Sequence, residues 1–295
     1  MQEVAIIGAG ELGGAVAHLL ARRDLVRSIR LIDEAGRVAA GKALDILQAA
    51  PVEGFATELS GSNDVSMAAA AGVVILADPY DRAASGEWQG DAGLLLLKRL
   101  AQTASGAVIV GAGASLRELI ARGVRELRFD RARLFGSAPE ALAGGARALV
   151  ALAVNGSPRD VALSVLGLPP THTVIPWQDA TFAGLALTRL VDEPSRRRLS
   201  ARVEALWPPG PFALAAAAVT VVEAMAGRSR RITSCFVAPD SSAPGSSVHT
   251  RTAALPVRLG PGGIVDVIVP TLSAGERVAL ENAMAISGLD NRVIG

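Results

Sequence analysis

Three glycines and one aspartate near the start of the chain have the types and the spacing to hold a dinucleotide. Gly8-Ala9-Gly10-Glu11-Leu12-Gly13 reads G-x-G-x-x-G. In such a turn Gly8 permits the sharp exit from a strand, and Gly10 leaves room for a pyrophosphate to approach the backbone. Gly13 lets the following helix pack closely. The N–H groups of Glu11 and Leu12, at the start of that helix, face the phosphates and are helped by the helix dipole. Asp33 lies twenty residues after Gly13, where a carboxylate accepts hydrogen bonds from a ribose diol. The same charge repels a 2′-phosphate, so the pattern favours NAD over NADP. A glycine turn needed only for packing would account for the glycines but not for Asp33.

These residues need a strand, a helix and a second strand to position them. Val4-Ala5-Ile6-Ile7 is a short apolar run of β-formers, a helical pattern runs from about Leu12 to Ala21, and Ile29-Arg30-Leu31-Ile32 leads into Asp33. Beyond Asp33, apolar residues at 43, 44, 47 and 50 predict an amphipathic helix stopped by Pro51. Thr57–Ser60 reads as a short strand before a turn at Gly61-Ser62-Asn63-Asp64. Gly72–Ala77 and Ala107–Val110 are fully apolar, as buried parallel strands are. Helices are predicted over Leu94–Ala104 and Leu116–Val124, with a last short strand at Leu134–Gly136. Strands alternating with helices predict an α/β fold with a doubly wound parallel sheet, Rossmann-type, over residues 1–136.

Residues 137–295 read as an α+β C-terminal domain of substrate-binding type. Helices are predicted over Glu140–Ala153, Phe182–Leu190, Ser195–Leu206 and Phe212–Ala226, the last after the breaker Pro208-Pro209-Gly210-Pro211. Strands are predicted at Val161–Leu166, Thr173–Pro176 and Ile232–Ala238, with a hairpin from Ala254–Leu259 to Gly263–Pro270. Ser273 and Glu276 form a capping-box pattern at the start of a final helix.

Composition narrows the function classes. Among 295 residues the formal net charge is +1, which gives no nucleic-acid footprint. The Arg228–Arg231 cluster and Arg197-Arg198 read as solvated helix ends. Aromatic residues make up 3% of the chain, so the core must be built from Ala, Val and Leu. The single cysteine, Cys235, excludes an internal disulfide and fits a reducing compartment. No motif surrounds it, and it reads as an inert buried thiol. Met-Gln-Glu-Val has no basic leader, so no signal peptide is expected. Prolines interrupt the longest uncharged stretch, Leu206–Val222, which argues against a membrane span. Together these predict a cytoplasmic protein.

The order of motifs resembles the malate and lactate dehydrogenase family from end to end. Ile6–Gly13 and Leu31-Ile32-Asp33 match it, as do Gly41-Lys42-Ala43-Leu44-Asp45, Pro51-Val52-Glu53-Gly54-Phe55 and Gly61-Ser62-Asn63-Asp64. Asp45 through Asp64 is similar to the malate-type branch in particular. Leu255–Gly260 through Val265 looks like the family's final hairpin. The resemblance implies NAD-dependent hydride transfer between a 2-hydroxy acid and its 2-oxo acid, and a homodimer or homotetramer. It also implies a set of residues: a His paired with an Asp for proton transfer, an Arg gripping the substrate carboxylate, a closing loop with two more Arg, and an Asn after a central strand.

This sequence departs from the family at each of those positions. The closing loop falls in Asp78–Gln89, where Asp78, Asp81 and Glu87 outnumber Arg82. The Asn falls in Val110–Ser115, which holds only Val, Gly, Ala and Ser. The Asp and the gripping Arg, counted without gaps from Arg133, fall on Leu142 and Gly145. Arg147 is two residues on, rotated about 200° around a helix. The His follows Gly167 in the family; here Leu168-Pro169-Pro170 intervenes and His172 comes late. An anionic loop repels a 2-oxo acid, so the sequence predicts no turnover of malate or lactate and a ligand other than a dicarboxylate. It leaves two readings open: a divergent oxidoreductase of unknown substrate, and a catalytically dead relative acting as a nucleotide-binding sensor or as a regulatory or structural subunit.

The cofactor residues survive: Gly8, Gly10, Glu11, Leu12, Gly13 and Asp33. The family has a glycine where this chain has Asp78, and a carboxylate facing the site there would weaken NAD binding. The catalytic residues are otherwise unassigned. His172 is a displaced candidate base with Asp179 as its acidic partner, against the plainer reading of a loop histidine beside prolines. His18 and His249 read as a helix-surface and a loop residue, and no His, Cys and Asp spacing supports a metal site.

Overall fold

Apolar runs of four or five residues separated by helices can bury both faces only in a parallel sheet covered on each side, and that is what forms. In this computed structural model residues 2–80, 88–239 and 251–285 are described. The first half runs β1 (Glu3–Ile7), α1 (Glu11–Arg22), β2 (Ser28–Ile32), α2 (Gly36–Glu53), β3 (Glu58–Ser62), β4 (Val73–Leu76), α3 (Gly90–Thr103), β5 (Val108–Gly111), α4 (Arg117–Leu127) and β6 (Leu134–Gly136). The strands lie in the order β3-β2-β1-β4-β5-β6 and every neighbouring pair is parallel. The order reverses between β1 and β4, which opens a crevice at their carboxyl ends where such sheets bind ligands. The glycine turn leaves β1 at that point.

The second half runs α5 (Ala138–Ala153), β7 (Val161–Ala162), β8 (Leu166–Leu168), β9 (His172–Val174), β10 (Thr181–Phe182), β11 (Leu185–Ala186), α6 (Leu187–Leu190), α7 (Glu193–Glu204), α8 (Pro211–Met225), β12 (Thr233–Val237), β13 (Ala253–Gly260), β14 (Gly263–Val267) and α9 (Ala274–Ala285). It continues the first sheet. Phe236 of β12 pairs antiparallel with Gly136 of β6, and β13, β8 and β9 follow, with β14 on β13, to make eleven strands. A separate small sheet has the order β11-β10-β7. The capping box at α9 is present: Ser273 N donates to Glu276 at 2.7 Å, and Glu276 N donates to the Ser273 hydroxyl at 3.3 Å.

Two local expectations are corrected. Pro51 does not stop the second helix; α2 runs through it to Glu53 and ends at Gly54, which is left-handed at φ 76°. Proline in a last turn forfeits only one amide bond, whereas the left-handed glycine ends the helix outright. Residues Phe182–Leu190 are not one helix. Ala183 and Gly184 take φ of 48° and 82° and turn the chain into the β10–β11 hairpin, leaving only Leu187–Leu190 helical.

Helix α8 is apolar nearly all round and is buried accordingly, with Leu214, Ala218, Val219, Val221 and Val222 all inside. It packs on α1 and α5, where its small residues allow close approach, and Arg23, the C-cap of α1, pairs with Glu223 at 2.5 Å. One polar tie lies within the core. Glu140 of α5, 5% exposed, accepts from the Ser234 amide of β12 at 2.8 Å and from Arg147, two turns along the same helix, at 2.6 Å. The Ser234 hydroxyl in turn accepts from Val165 N at 3.0 Å, so one carboxylate joins helix, strand and the approach to β8. Cys235 beside it is fully buried. Burial, and then the Glu140 charge, push its thiol far above the ordinary range, with the Thr233 hydroxyl opposing weakly.

Glu140→Ala takes the carboxylate from a partly buried guanidinium and leaves a buried amide without its acceptor, and should destabilise the fold by about 3 kcal/mol in urea unfolding. Replacing Glu140 and Arg147 together by Leu and Met should recover most of that loss. Cys235 should stay unreactive toward a disulfide reagent at pH 8 in the native protein and react at once in denaturant. Fast labelling of the native protein would contradict its burial.

Candidate functional site

The crevice between β1 and β4 brings together the residues that the sequence singles out for the cofactor, and it adds Asp78. Gly8, at φ 110°, makes the turn, and a Cβ there would lie 2.4 Å from the Asp78 carbonyl oxygen. Its amide donates to Ile32 O at 2.7 Å, which locks the turn to the end of β2. Helix α1 then starts with Gly10 as N-cap and no side-chain cap of its own. Its first amides therefore need an acceptor from elsewhere.

Asp78, which follows β4 after Ala77, supplies it. Its carboxylate accepts from Leu12 N at 3.2 Å and from Gly13 N at 2.9 Å, while its backbone carbonyl accepts from Gly10 N at 2.9 Å. A Cβ built on Gly10 would lie 2.2 Å from the carboxylate. The volume that a missing side chain at Gly10 opens is thus filled by the carboxylate of Asp78. The reservation raised by the sequence, that Asp78 faces the site, describes the folded chain.

Asp33 is buried, at 4% exposure. One of its oxygens accepts from Ala9 N and Tyr80 N, both at 2.7 Å, and the other from Ala35 N at 2.8 Å. A carboxylate offers about four lone-pair sites, so three are committed to backbone amides. Beyond it lies an open groove of about 600 Å³ bordered by Glu34, Gly36, Arg37, Ser62 and Asn63. Lys42 of α2, known from the sequence only as part of a motif, reaches over the turn. Its Nζ donates to Gly10 O at 2.6 Å and stands 5.8 Å from the centre of the Tyr80 ring. Only the fold brings Lys42 here, since it lies 32 positions from Gly10.

The positions that the resemblance assigns to catalysis are apolar or empty. Leu142 is 1% exposed and belongs to a second core with Val150, Ile175 and Leu199. At Gly145 a Cβ would lie 2.6 Å from a Leu206 methyl, so Leu206 occupies the space beside it. Arg147 faces the other way, toward Glu140 and the Leu163 carbonyl. It lines a cavity of about 360 Å³ with Ser164, Asp179, Arg230 and Arg231. Two of the arginines read from the sequence as solvated helix ends thus border a pocket while remaining exposed.

His172 sits in β9, partly exposed, opposite Leu168. Its anticipated partner Asp179 instead accepts from Thr271 N at 2.8 Å. The acid that His172 does influence is Glu204, whose carboxyl is raised by burial and lowered by the histidine's charge. His18 pairs with Glu53 at 3.0 Å on the surface. His249 and residues Asp81, Arg82 and Glu87 lie outside the described residues. Among the described residues, no group of three or more His, Cys, Asp or Glu could hold a metal ion, and no helix is long and apolar enough to cross a membrane.

Comparison with known proteins agrees with the geometry of the first half. A family described as "lactate/malate dehydrogenase, NAD binding domain" matches residues 2–86. Malate dehydrogenase of Thermomicrobium roseum is 29% identical over 299 residues, covering 96% of this chain and 94% of that protein. The malate dehydrogenase of Desulforudis audaxviator is 29% identical over 312 residues, covering 98% and 99%. Among solved structures, malate dehydrogenase from Salinibacter ruber superposes with TM-score 0.83 at 24% identity, covering 95% of this chain and 93% of that one. Lactate dehydrogenase from Cryptosporidium parvum, in complex with lactic acid and β-nicotinamide adenine dinucleotide, gives 0.84 at 21%, covering 96% and 94%. The first half is an NAD-binding domain in type, and the whole chain carries the fold of those enzymes. Residues 2–86 thus match the NAD-binding domain of the lactate/malate dehydrogenase family, and the chain is similar to malate dehydrogenases over nearly its whole length.

Proposed function

We propose that this chain is a divergent NAD-binding oxidoreductase of the family, with residues 1–136 as its dinucleotide half and 137–295 as its substrate half, and that it does not turn over malate or lactate. The observation that carries the second part is the pair Leu142 and Gly145. One is packed in an apolar core and the other stands against Leu206, so neither supplies an acid to orient a base nor a guanidinium to grip a carboxylate. Hydride transfer from a hydroxy acid needs both at once, and groups that act as a unit lose most of their effect when one is missing. NAD, when bound, supplies the hydride acceptor. The donors and the ribose acceptor suited to it are present in the turn, but the carboxylate of Asp78 occupies the space beside Gly10 that a pyrophosphate would use.

That obstruction favours a second reading, in which the protein acts as a nucleotide-responsive sensor or regulatory subunit and not as a catalyst. Steady-state assays with malate, lactate and a panel of neutral alcohols and hydroxy acids separate the two readings. Turnover of malate or lactate in the ordinary range of roughly 1 to 10³ per second would sink the proposal for residues 142 and 145.

Asp33→Ala should weaken NAD by about tenfold to a hundredfold, the worth of hydrogen bonds to a charged acceptor, and narrow the preference over NADP. Because Asp33 also holds three backbone amides, the titrations need a melting curve alongside. Unchanged affinity for both dinucleotides in a folded variant would mean that Asp33 does not hold the ribose.

A further inference from the structure

We propose that Asp78 is a built-in occupant of the dinucleotide cradle, an autoinhibitory carboxylate that must leave before the pyrophosphate of NAD can enter. The inference rests on the reading that this chain binds NAD, and it adds a condition for that binding.

The Asp78 contact takes up three of the cradle's donors. Among the amides of residues 9–13, Ala9 donates to Asp33, Gly10 to the Asp78 carbonyl, and Leu12 and Gly13 to the Asp78 carboxylate. The last two are helix-start N–H groups of the kind that binds a phosphate, and Leu12 is one of the pair that the sequence assigns to that task. The occupant is also charged. A carboxylate and a diphosphate cannot share one helix terminus, because each repels the other where the solvent is thinned out.

The acceptor comes from a distant part of the chain. Asp78 is 65 positions from Gly13, whereas an ordinary cap comes from the N-cap residue, here a glycine without a side chain. Its carboxylate stands where a Cβ on Gly10 would be, in the space that this turn keeps open for a ligand's approach.

The segment that carries it is fastened at Tyr80. Tyr80 N donates to Asp33, and the Tyr80 ring lies beside the Lys42 ammonium. Asp33, the intended ribose acceptor, is therefore tied to the same segment whose carboxylate fills the phosphate place. The two subsites are closed together, and a ligand that opens one loosens the other. The backbone bond from Gly10 N to Asp78 O need not break for the carboxylate to swing out. Lys42, once freed from the Gly10 carbonyl, is a cation within reach of a phosphate arriving there.

Apparent affinity falls by the fraction of molecules whose cradle is open. Removing the carboxylate should therefore raise NAD affinity without adding any contact. Calorimetric titration of NAD into the full chain, the Asp78→Gly variant and the Asp78→Asn variant tests this. The glycine variant should bind about tenfold tighter or more than the parent. Asparagine keeps the volume without the charge, so it should fall between them; it also decides the matter if the glycine variant does not fold. In the ligand-free protein, the Leu12 and Gly13 amide resonances should move upfield and exchange faster in the glycine variant than in the parent.

Equal NAD affinity in the parent and in folded variants would overturn the autoinhibition while leaving NAD binding standing. No binding by any of the three would remove the NAD reading and this inference together. Unmoved Leu12 and Gly13 amides would show that the carboxylate is not their acceptor.

Discussion

The constraint on which this structure turns is that backbone amides at the start of a buried helix must find acceptors. Helix α1 begins just after β1, with a glycine as N-cap and with Leu12 and Gly13 buried in its first turn. Leaving the N–H groups of these buried residues unpaired is expensive. In a working nucleotide fold the ligand shares that burden. Here two aspartates carry it between them, Asp33 from the end of β2 and Asp78 from the end of β4. The same two carboxylates hold the chain that leaves β4 against the chain that leaves β1, at the point where strand order reverses. Cradle and scaffold are therefore one hydrogen-bonded unit, and a change at either acid acts on both.

The second half repeats the principle with a different result. Where the family's chemistry would place an acid and a cation facing a substrate, this chain has Leu142 and Gly145, closed by core packing and by Leu206. The charges of that helix have gone to Glu140 and Arg147 and serve to join α5 to β12. A buried ion pair of this kind holds elements in one arrangement more than it adds net stability. The cavity beside Arg147 is bordered by three arginines and Asp179, a different charge pattern from the apolar surroundings of Leu142. The two halves are also continuous: β12 pairs with β6, so the sheet that carries the cofactor turn runs on into the strands that carry Ser234 and Cys235.

Local pattern was enough for the elements whose sequence repeats a single period. The apolar runs Val73–Leu76 and Val108–Val110, the glycine turn and the heptad-like burial of α1 were legible because each depends on neighbours a few residues apart. It failed where two local rules compete. Pro51 disfavours a helix interior yet is tolerated in a last turn, and Gly54 decided the end. Phe182–Leu190 carries enough apolar residues for a helix, but the left-handed Ala183 and Gly184 turned it into a hairpin. In the site, His172 and Asp179 are close in sequence, yet Asp179 is bonded to Thr271, 92 positions away.

By itself the sequence determined that a strand, a glycine turn, a helix and a second strand ending in an acid would open the chain, and it set Leu142 and Gly145 where the resemblance implies an acid and an arginine. Both follow from residue type and spacing, which are one-dimensional. Only the tertiary structure decided which way Asp78 points, what fills the space beside Gly10 and Gly145, and that Lys42 overhangs the turn. Those depend on the parallel register of β4 against β1 and on the packing of α2 and α8. Such arrangements bring residues dozens of positions apart within hydrogen-bond reach, and no local period encodes them.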